Sequence, residues 1–481
     1  MLPCTAGGES VQTIIVVTYL LIMVGIGIAL RGRIRSASDF LVAGGKLGLL
    51  LTTATFAAIQ LGAGVILGGA ELAAQHGLWA GTWPGISVGG GLIIAGFVAA
   101  KKLRRRGSFV PLDFFAHRYG DNRAIRLWAW ASNIPSLLGV LGIQFMATGA
   151  VAEMFGVSFE TGVWAAGSVV LIYSMLGGMW GAVVTDLIQV GVIVIAIPVL
   201  AFTTSQALGG AATAVPISDL LATDFVPDGM LSTAVFNILP FLLMVSVSYD
   251  AYLRFQAAKS GEAAKWGAVL GGTIVIVISF FAALVGAAGS TLDPAIEGRA
   301  VVPEMIQLTL SPVVAGIVLT ALLAAAMSTA NSLVISVAGS CSRDFYNKVL
   351  HPDEELDDLK WVRAISRVVV AIAALLGIQI ALNFVGMLRT MITFATPYMA
   401  SMLVPLLGGL LWSRATAKGA YAAMIAGGVV GVSAFAVSVP GPFLDMFNAD
   451  LALLIAWVLA AVAFVVVSLV THDETRPAQP T

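Results

Sequence analysis

Four polar side chains stand close together in a stretch that is otherwise apolar. Ser328, Thr329, Asn331 and Ser332 follow an apolar run at 324–327 and place hydroxyl and amide oxygens around much of one helical turn. Hard cations prefer oxygen ligands, which such side chains and backbone carbonyls supply without net charge. Serine and threonine also bond commonly to a carbonyl of their own helix. The spacing therefore fits an ion site or an ordinary buried helix.

Two other apolar stretches are interrupted near their middles by small and polar residues. Segment 57–64 reads AAIQLGAG, and segment 245–250 reads VSVSYD. Interruptions of this kind expose backbone groups to an ion or solute in some transporters, although small residues also serve close helix packing. Asp250 favours the first interpretation, because an ionisable group within a membrane is costly and usually functional. The solute-binding residues that we predict at the two interruptions are Gln60, Gly62, Ser248, Tyr249 and Asp250.

The composition places these stretches in a membrane. Hydrophobic residues make up 59% of the 481 residues and charged residues 11%, whereas soluble domains carry roughly 25% charged residues. The formal net charge of −1 leaves no basic face for nucleic acid. Two cysteines and four histidines stand apart, so they predict neither a disulfide nor a metal site. We predict an all-α polytopic membrane protein, with 1–481 forming a single transmembrane domain.

A spanning helix needs about 20 mostly apolar residues. The segments that satisfy this are 11–31, 47–75, 78–100, 124–153, 159–178, 180–206, 232–257, 265–289, 311–345, 361–384, 388–412, 418–439 and 449–471. The sequence thus predicts about thirteen transmembrane helices. The two interrupted spans are the second and the seventh, and an odd offset gives them opposite orientations. That arrangement is typical of transporters built from inverted repeats.

The basic residues predict the orientation of the chain. With the N-terminus outside and the spans alternating, all but two of the 25 lysines and arginines lie on the inner side. The exceptions are Arg299 and Arg389. Cytoplasmic loops hold the excess of lysine and arginine in membrane proteins. We therefore expect a multi-pass protein of the plasma (inner) membrane, with its N-terminus outside and its C-terminus in the cytoplasm.

Three motifs carry a resemblance to a known family. Residues 173–189 read YSMLGGMWGAVVTDLIQ, residues 327–332 read MSTANS, and residues 254–260 read RFQAAKS. Their order, spacing and membrane side resemble those of the sodium:solute symporter family, and the likeness extends from about residue 10 to 440. The family includes sodium-coupled proline, sugar, sialic acid and choline transporters.

The resemblance implies a fold and two ion sites. The fold is the LeuT-type inverted five-helix repeat, with repeats at 47–206 and 232–412, an extra N-terminal helix at 11–31 and two peripheral helices at 418–471. Carried over by position, the main sodium site comprises Ala58, Leu61, Ala325, Ser328 and Thr329. A second sodium site would use Asp186, Ser328, Asn331 and Ser332. Asn331 replaces the serine expected there, and Asp186 has the alternative of pairing with an arginine near the inner gate.

These observations predict secondary active transport by alternating access. The expected function is sodium-coupled symport of a small organic solute, amino acid-like or another small polar or zwitterionic metabolite, into the cell. Na⁺, the solute and the lipid bilayer are the expected partners, with no nucleic acid and no obligate protein partner. Arg254 lies one turn from Asp250 and is a candidate to pair with it.

Other function classes differ in what they require. A proton-coupled or sodium-independent carrier would use the same fold, with Asp186 or Asp250 titrating in the proton-coupled case, and a transporter-like solute sensor is a further alternative. A channel would need a filter motif. An enzyme would need clustered histidines, cysteines or paired carboxylates, so we predict that the chain is not an enzyme.

Overall fold

The computed structural model describes residues 6–106, 111–210, 217–296, 301–355, 361–384, 387–438 and 449–472. The helices of the first half are α1 (Ala6–Leu30), α2 (Ala37–Val42), α3 (Leu49–Gln60), α4 (Ala63–His76), α5 (Leu78–Ala95), α6 (Lys101–Arg106), α7 (Pro111–Tyr119), α8 (Arg123–Glu153), α9 (Phe159–Gly210) and α10 (Ile217–Leu221). Those of the second half are α11 (Leu231–Ser246), α12 (Tyr249–Ala257), α13 (Gly261–Leu292), α14 (Val301–Thr309), α15 (Pro312–Gly339), α16 (Val362–Asn383), α17 (Met387–Leu411), α18 (Ala417–Ser438) and α19 (Ala449–Val470). The π-helical segments Gly96–Ala100 and Ser340–Leu350 extend α5 and α15.

The two interruptions predicted from the sequence are confirmed. α3 ends at Gln60 and α4 begins at Ala63, with a bend of 51° between them. α11 ends at Ser246 and α12 begins at Tyr249, with a bend of 40°. Each break leaves the carbonyl end of one helix and the N–H end of another without a full set of internal hydrogen bonds. These ends are the backbone groups available to a ligand.

The number of spans in the described residues differs from the thirteen predicted. Ten helices are long and apolar enough to cross a membrane, or twelve when each bent pair counts as one. The difference lies in α9, whose 52 residues would extend about 78 Å as a straight helix, more than twice a bilayer core of roughly 30 Å. Gly178 interrupts it with φ 48° and ψ −148°, at the last residue of the predicted span 159–178 and two residues before the predicted span 180–206. Thirteen spans therefore stays a prediction that depends on counting α9 twice.

Gly178 also permits a close helix contact. A Cβ built at this position would lie 2.7 Å from Cδ2 of Phe40 and 2.9 Å from its carbonyl oxygen. Both the positive φ and this approach favour glycine. At this break, Phe40 of α2 packs closely against Gly178 of α9.

The breaks lie at the centre of the helix packing. α15 is buried along most of its length between α8, α9 and α1, whereas only 22% of the span in α1 and 33% of the span in α19 is buried. Because the outer surface is apolar, it suits contact with lipid rather than water. The start of α3 and the end of α12 are also joined: Leu47 donates its N–H to the Ala257 carbonyl at 2.9 Å and accepts from Lys259 at 2.8 Å.

Candidate functional site

The end of α3 meets α15 through two buried hydroxyls. Ser328 Oγ donates to the carbonyls of Ala58 and Ala325, both at 3.0 Å. Thr329 Oγ1 lies 3.0 Å from the Ile59 carbonyl, 3.2 Å from that of Ala325 and 3.4 Å from that of Ala58. Five oxygens from two helices therefore converge, and we call Ala58, Ile59, Ala325, Ser328 and Thr329 the upper oxygen site.

The break in the second span creates the upper oxygen site. Carbonyls in the last turn of α3 lack helical partners and carry the negative end of the helix dipole. Gly62 lies beside them, and a Cβ there would stand 2.9 Å from Thr329 Oγ1 and 2.9 Å from Gln144 Oε1. Gln144 Oε1 in turn accepts from the Ala63 N–H at 3.1 Å, at the start of α4. The glycine and the glutamine thus hold both ends of the break against α15 and α8.

The upper oxygen site suits a small cation. Hydroxyl and carbonyl oxygens without formal charge bind hard cations, and carbonyl ends of broken helices coordinate Na⁺ in transporters. Four of the five predicted main-site residues belong to it. Leu61, the fifth, is buried at the break itself. The Ile59 carbonyl, which sequence reasoning missed, forms the shortest bond to Thr329 across the two helices.

A second group of polar residues lies further along α15. Thr55 Oγ1 donates to Asp186 Oδ2 at 2.6 Å and accepts from Arg254 Nε at 3.0 Å. The Arg254 Nη2 group donates to Ser332 Oγ. Asn331 Oδ1 accepts from Ser174 Oγ at 2.5 Å. We call Thr55, Asp186, Arg254, Asn331 and Ser332 the lower polar cluster, which contains three of the residues predicted for a second sodium.

Arg254 bonds differently from the pairing that its spacing suggests. Its Nη1 group donates to the backbone carbonyl of Asp250 at 3.0 Å, and its other bonds cross to α3 and α15. The Asp250 carboxylate instead accepts from Gln60 Nε2 at 3.4 Å, a long contact. The guanidinium is fully buried. It therefore connects three helices.

A cavity adjoins the upper oxygen site. Its interior space is about 50 Å³, enough for a few water molecules. Its walls come from α3, α8, α11, α12, α15 and α17, and the lining residues are Ile59, Gln60, Asn133, Ser136, Leu137, Val140, Met244, Val245, Ser248, Tyr249, Asp250, Thr329, Leu333 and Tyr398. Four of the five predicted solute-binding residues are among them. Gly62, the fifth, is not among the lining residues and packs against Thr329 and Gln144 instead.

Sequence reasoning missed the walls that α8 and α17 contribute. Asn133, Ser136, Leu137 and Val140 follow the spacing of one helix face, and their polar members interrupt an apolar span. That interruption was a signal available in the sequence. Tyr398 Oη donates to the Val247 carbonyl at 3.1 Å, inside the second break. No local pattern marks this tyrosine.

A buried polar network adjoins the cavity through Tyr249. Tyr249 Oη donates to Asp344 Oδ2 at 3.0 Å, and Asp344 Oδ1 lies 3.5 Å from Arg126 Nη1. Arg126 Nη2 also contacts Asp113 Oδ1 at 3.2 Å. All four side chains are buried, and buried charges in such a network are held by their partners.

Comparison with known proteins decides the family. A sequence model of the sodium:solute symporter family matches residues 40–427. The sodium/pantothenate symporter of Escherichia coli strain K12 is 28% identical over 449 residues, covering 86% of this chain and 88% of its own. The sodium/proline symporter of Salmonella typhimurium is 25% identical over 437 residues, covering 85% of each. The chain belongs to the sodium:solute symporter family.

A solved structure confirms the fold of this symporter. A Na⁺-coupled sialic acid symporter matches it with a TM-score of 0.74 over 98% of this chain and 99% of the other, at 17% sequence identity. The predicted LeuT-type all-α fold is therefore confirmed. The family and its relatives are transporters, and this multi-pass membrane protein is a sodium-coupled symporter whose substrates are sodium and a small organic solute.

Proposed function

We propose that this symporter binds Na⁺ at the upper oxygen site and a small polar metabolite in the adjoining cavity. The observation that carries the proposal is that Ile59 and Thr329 belong to both places. The Ile59 carbonyl and the Thr329 hydroxyl bond to each other in the upper oxygen site, and both residues line the cavity. An ion there acts directly on the walls that contact the solute.

The coupling would work through the broken second span. Na⁺ at the upper oxygen site holds the end of α3 against α15, which stabilises the conformation that binds the solute. A ligand shifts a conformational equilibrium only by its different affinity for the two states, and the coupling is reciprocal. A membrane potential of 100 mV contributes roughly 2.3 kcal/mol per inward charge. Uptake of a neutral or zwitterionic solute is then driven by sodium entry.

The solute that we propose is amino acid-like or another small polar or zwitterionic metabolite. Pantothenate and proline, the solutes in the names of the two relatives, are the first candidates to test. The lining of the cavity supports this polarity, since its walls combine aliphatic side chains with Gln60, Ser248 and Asp250. Tyr249 would contribute its ring, because its hydroxyl is bound to Asp344.

We further propose the arrangement of the chain in the inner membrane. Its repeats are 47–206 and 232–412, with the extra helix at 11–31 and the peripheral helices at 418–471. The N-terminus lies outside and the C-terminus in the cytoplasm, which is supported by the distribution of lysine and arginine. The single chain transports without an obligate protein partner.

The experiment is a thermal-shift screen of the purified symporter against small metabolites in sodium and in matched potassium. We expect pantothenate, proline or a chemical relative to raise the unfolding temperature in sodium and much less in potassium. Uptake of the stabilising compound into proteoliposomes should then require inward sodium. Equal stabilisation in both salts would favour a sodium-independent or proton-coupled carrier, and binding without uptake would favour a solute sensor.

A further inference from the structure

One polar group on the cavity wall has no hydrogen-bond partner among the described residues. Asn133 lies on α8 with 3% of its surface exposed, and its Nδ2 atom forms no hydrogen bond with any part of the chain that the structure describes. Buried side-chain donors are nearly always satisfied, because losing their hydration without replacement is costly. Asn133 lines the cavity. Its unpartnered N–H group therefore belongs to the wall around the space in which a ligand would sit.

The helix carrying Asn133 presents it at the edge of an apolar surface. Leu137 and Val140 follow on the same face of α8, one and two turns away. Ile59, Met244 and Leu333 line the cavity from other helices. These side chains suit a short aliphatic body and leave few places for the polar groups of a solute.

A second polar determinant comes from another wall. Asp250 stands in the first turn of α12 and is 7% exposed. Its contact with Gln60 Nε2, at 3.4 Å, is long for a hydrogen bond. A carboxylate only accepts hydrogen bonds. A solute donor can replace or complete the weak bond from Gln60.

We infer that Asn133 is a specificity-determining residue: its side-chain N–H binds a carbonyl or carboxylate oxygen of the solute, while Asp250 accepts from the solute's amino or hydroxyl group. This inference rests on the proposed function of the cavity. The substrate class is a compact aliphatic metabolite with an acceptor at one end and a donor at the other, such as an amino acid or a hydroxylated amide acid. Amines without a carbonyl group fall outside it.

The test compares matched compounds on matched variants. The probes are pantothenate and its alcohol analogue pantothenol, and L-proline and L-prolinol, so that each pair differs at the carboxylate. The variants are Asn133→Ala and Asn133→Asp. Asn383→Ala is the control, since this exposed asparagine lies at the end of α16 and bonds to the Gln379 carbonyl of its own helix. Binding is measured on the full-length purified symporter in sodium.

We expect Asn133→Ala to raise the Kd of the carboxylate compound that binds by roughly tenfold or more, as for the loss of one hydrogen bond to a charged group. The alcohol analogue should lose much less. Asn133→Asp should reverse the preference within the pair, because its carboxylate repels an anion and accepts from an alcohol. A change in folding alone would weaken both members of a pair equally.

The outcomes separate the two proposals. If a compound stabilises the native symporter in sodium but both Asn133 variants keep its Kd and the preference within the pair, the inference about Asn133 is overturned and the proposed function stands. Equal losses for both members of a pair also overturn it. If no probe binds the native symporter in a sodium-dependent way, the proposed function fails first.

Discussion

The upper oxygen site and the lower polar cluster use neighbouring residues of one helix and differ in charge. In the upper site, hydroxyls of Ser328 and Thr329 meet carbonyls, and no described hydrogen bond brings a charged side chain to them. In the lower cluster, the Arg254 guanidinium donates to Ser332 and reaches Asp186 through Thr55. A free cation suits the first set of oxygens. The second set already contacts a cation of the chain.

The two regions share oxygen-rich residue types and differ in whether a cationic side chain of the protein contacts those oxygens. Both sets contain hydroxyls on α15 and residues of α3. In the lower polar cluster the Arg254 guanidinium lies between α3 and α15, whereas in the upper oxygen site carbonyls of α3 bond directly to hydroxyls of α15. Within the lower polar cluster, the side-chain oxygen of Asn331 is engaged by Ser174.

Removing the Arg254 guanidinium from the lower polar cluster should have the largest effect, and that effect should be on stability. Arg254→Met leaves the buried Asp186 carboxylate without compensation, and breaking a buried charge network typically costs about 3–5 kcal/mol. We expect a large fall in the unfolding temperature of the purified symporter. Adding Asp186→Asn should restore part of it, since the two charges depend on each other. Additive losses in the double variant would show that the charges are not coupled.

Removing an oxygen from the upper site should chiefly affect sodium. Thr329→Ala deletes the hydroxyl that joins α15 to the Ile59 carbonyl, and one polar contact with a charge is worth roughly tenfold or more in affinity. We expect the sodium concentration for half-maximal stabilisation to rise accordingly. Thr320→Ala is the control, because that hydroxyl bonds to Gly316 within α15. Equal sodium affinity in the two variants would contradict the assignment of the upper site.

Adding a methyl group at Gly62, in the break of the second span, should have a smaller effect on sodium affinity at the upper oxygen site. Gly62→Ala places a methyl group 2.9 Å from Thr329 Oγ1, so the hydroxyl or the helix must shift. Overpacking of this kind costs about 1–3 kcal/mol, and we expect sodium affinity to fall by roughly fivefold or more. Gly64→Ala meets nothing within 4 Å and serves as the matched control. A loss in Gly64→Ala as large as in Gly62→Ala would point to helix flexibility instead.

Restoring the serine expected in the lower cluster should have the smallest effect. Asn331→Ser removes the amide while Arg254 stays on Ser332. We expect the steepness of the sodium titration to stay as in the native symporter. A steeper titration in this variant would indicate a second sodium in the cluster and would show that the contacts of Arg254 do not prevent its binding.

The breaks and the hydroxyls of the upper site were predictable because they are local. Small and polar residues within apolar spans mark the breaks, and α3 and α11 end where those residues stand. The sequence did not predict that the Ile59 carbonyl bonds to Thr329, because which carbonyl is free depends on where the last turn of α3 ends. The family resemblance implied Leu61, whereas the shortest bond from α3 to Thr329 is the one with the Ile59 carbonyl.

The cavity was predictable only in part. Gln60, Ser248, Tyr249 and Asp250 line it because they flank the breaks. Asn133 and Tyr398 come from uninterrupted helices, and the packing of α8 and α17 turns them inward. A single polar residue on a helix does not determine which neighbouring helices that face packs against. The tertiary packing decides it.

Composition and patterning alone determined that this chain is a polytopic helical protein with two broken spans. Lipid requires long apolar helices, so polar and small residues within an apolar span are easy to recognise in the sequence. The family motifs add the type of fold. The partners of Arg254 follow from the packing of distant helices. Its spacing offers the Asp250 carboxylate, but the assembled helices bring Thr55 and Ser332 to the guanidinium instead. A buried charge binds the oxygens that tertiary packing places around it, and sequence separation gives no measure of those distances.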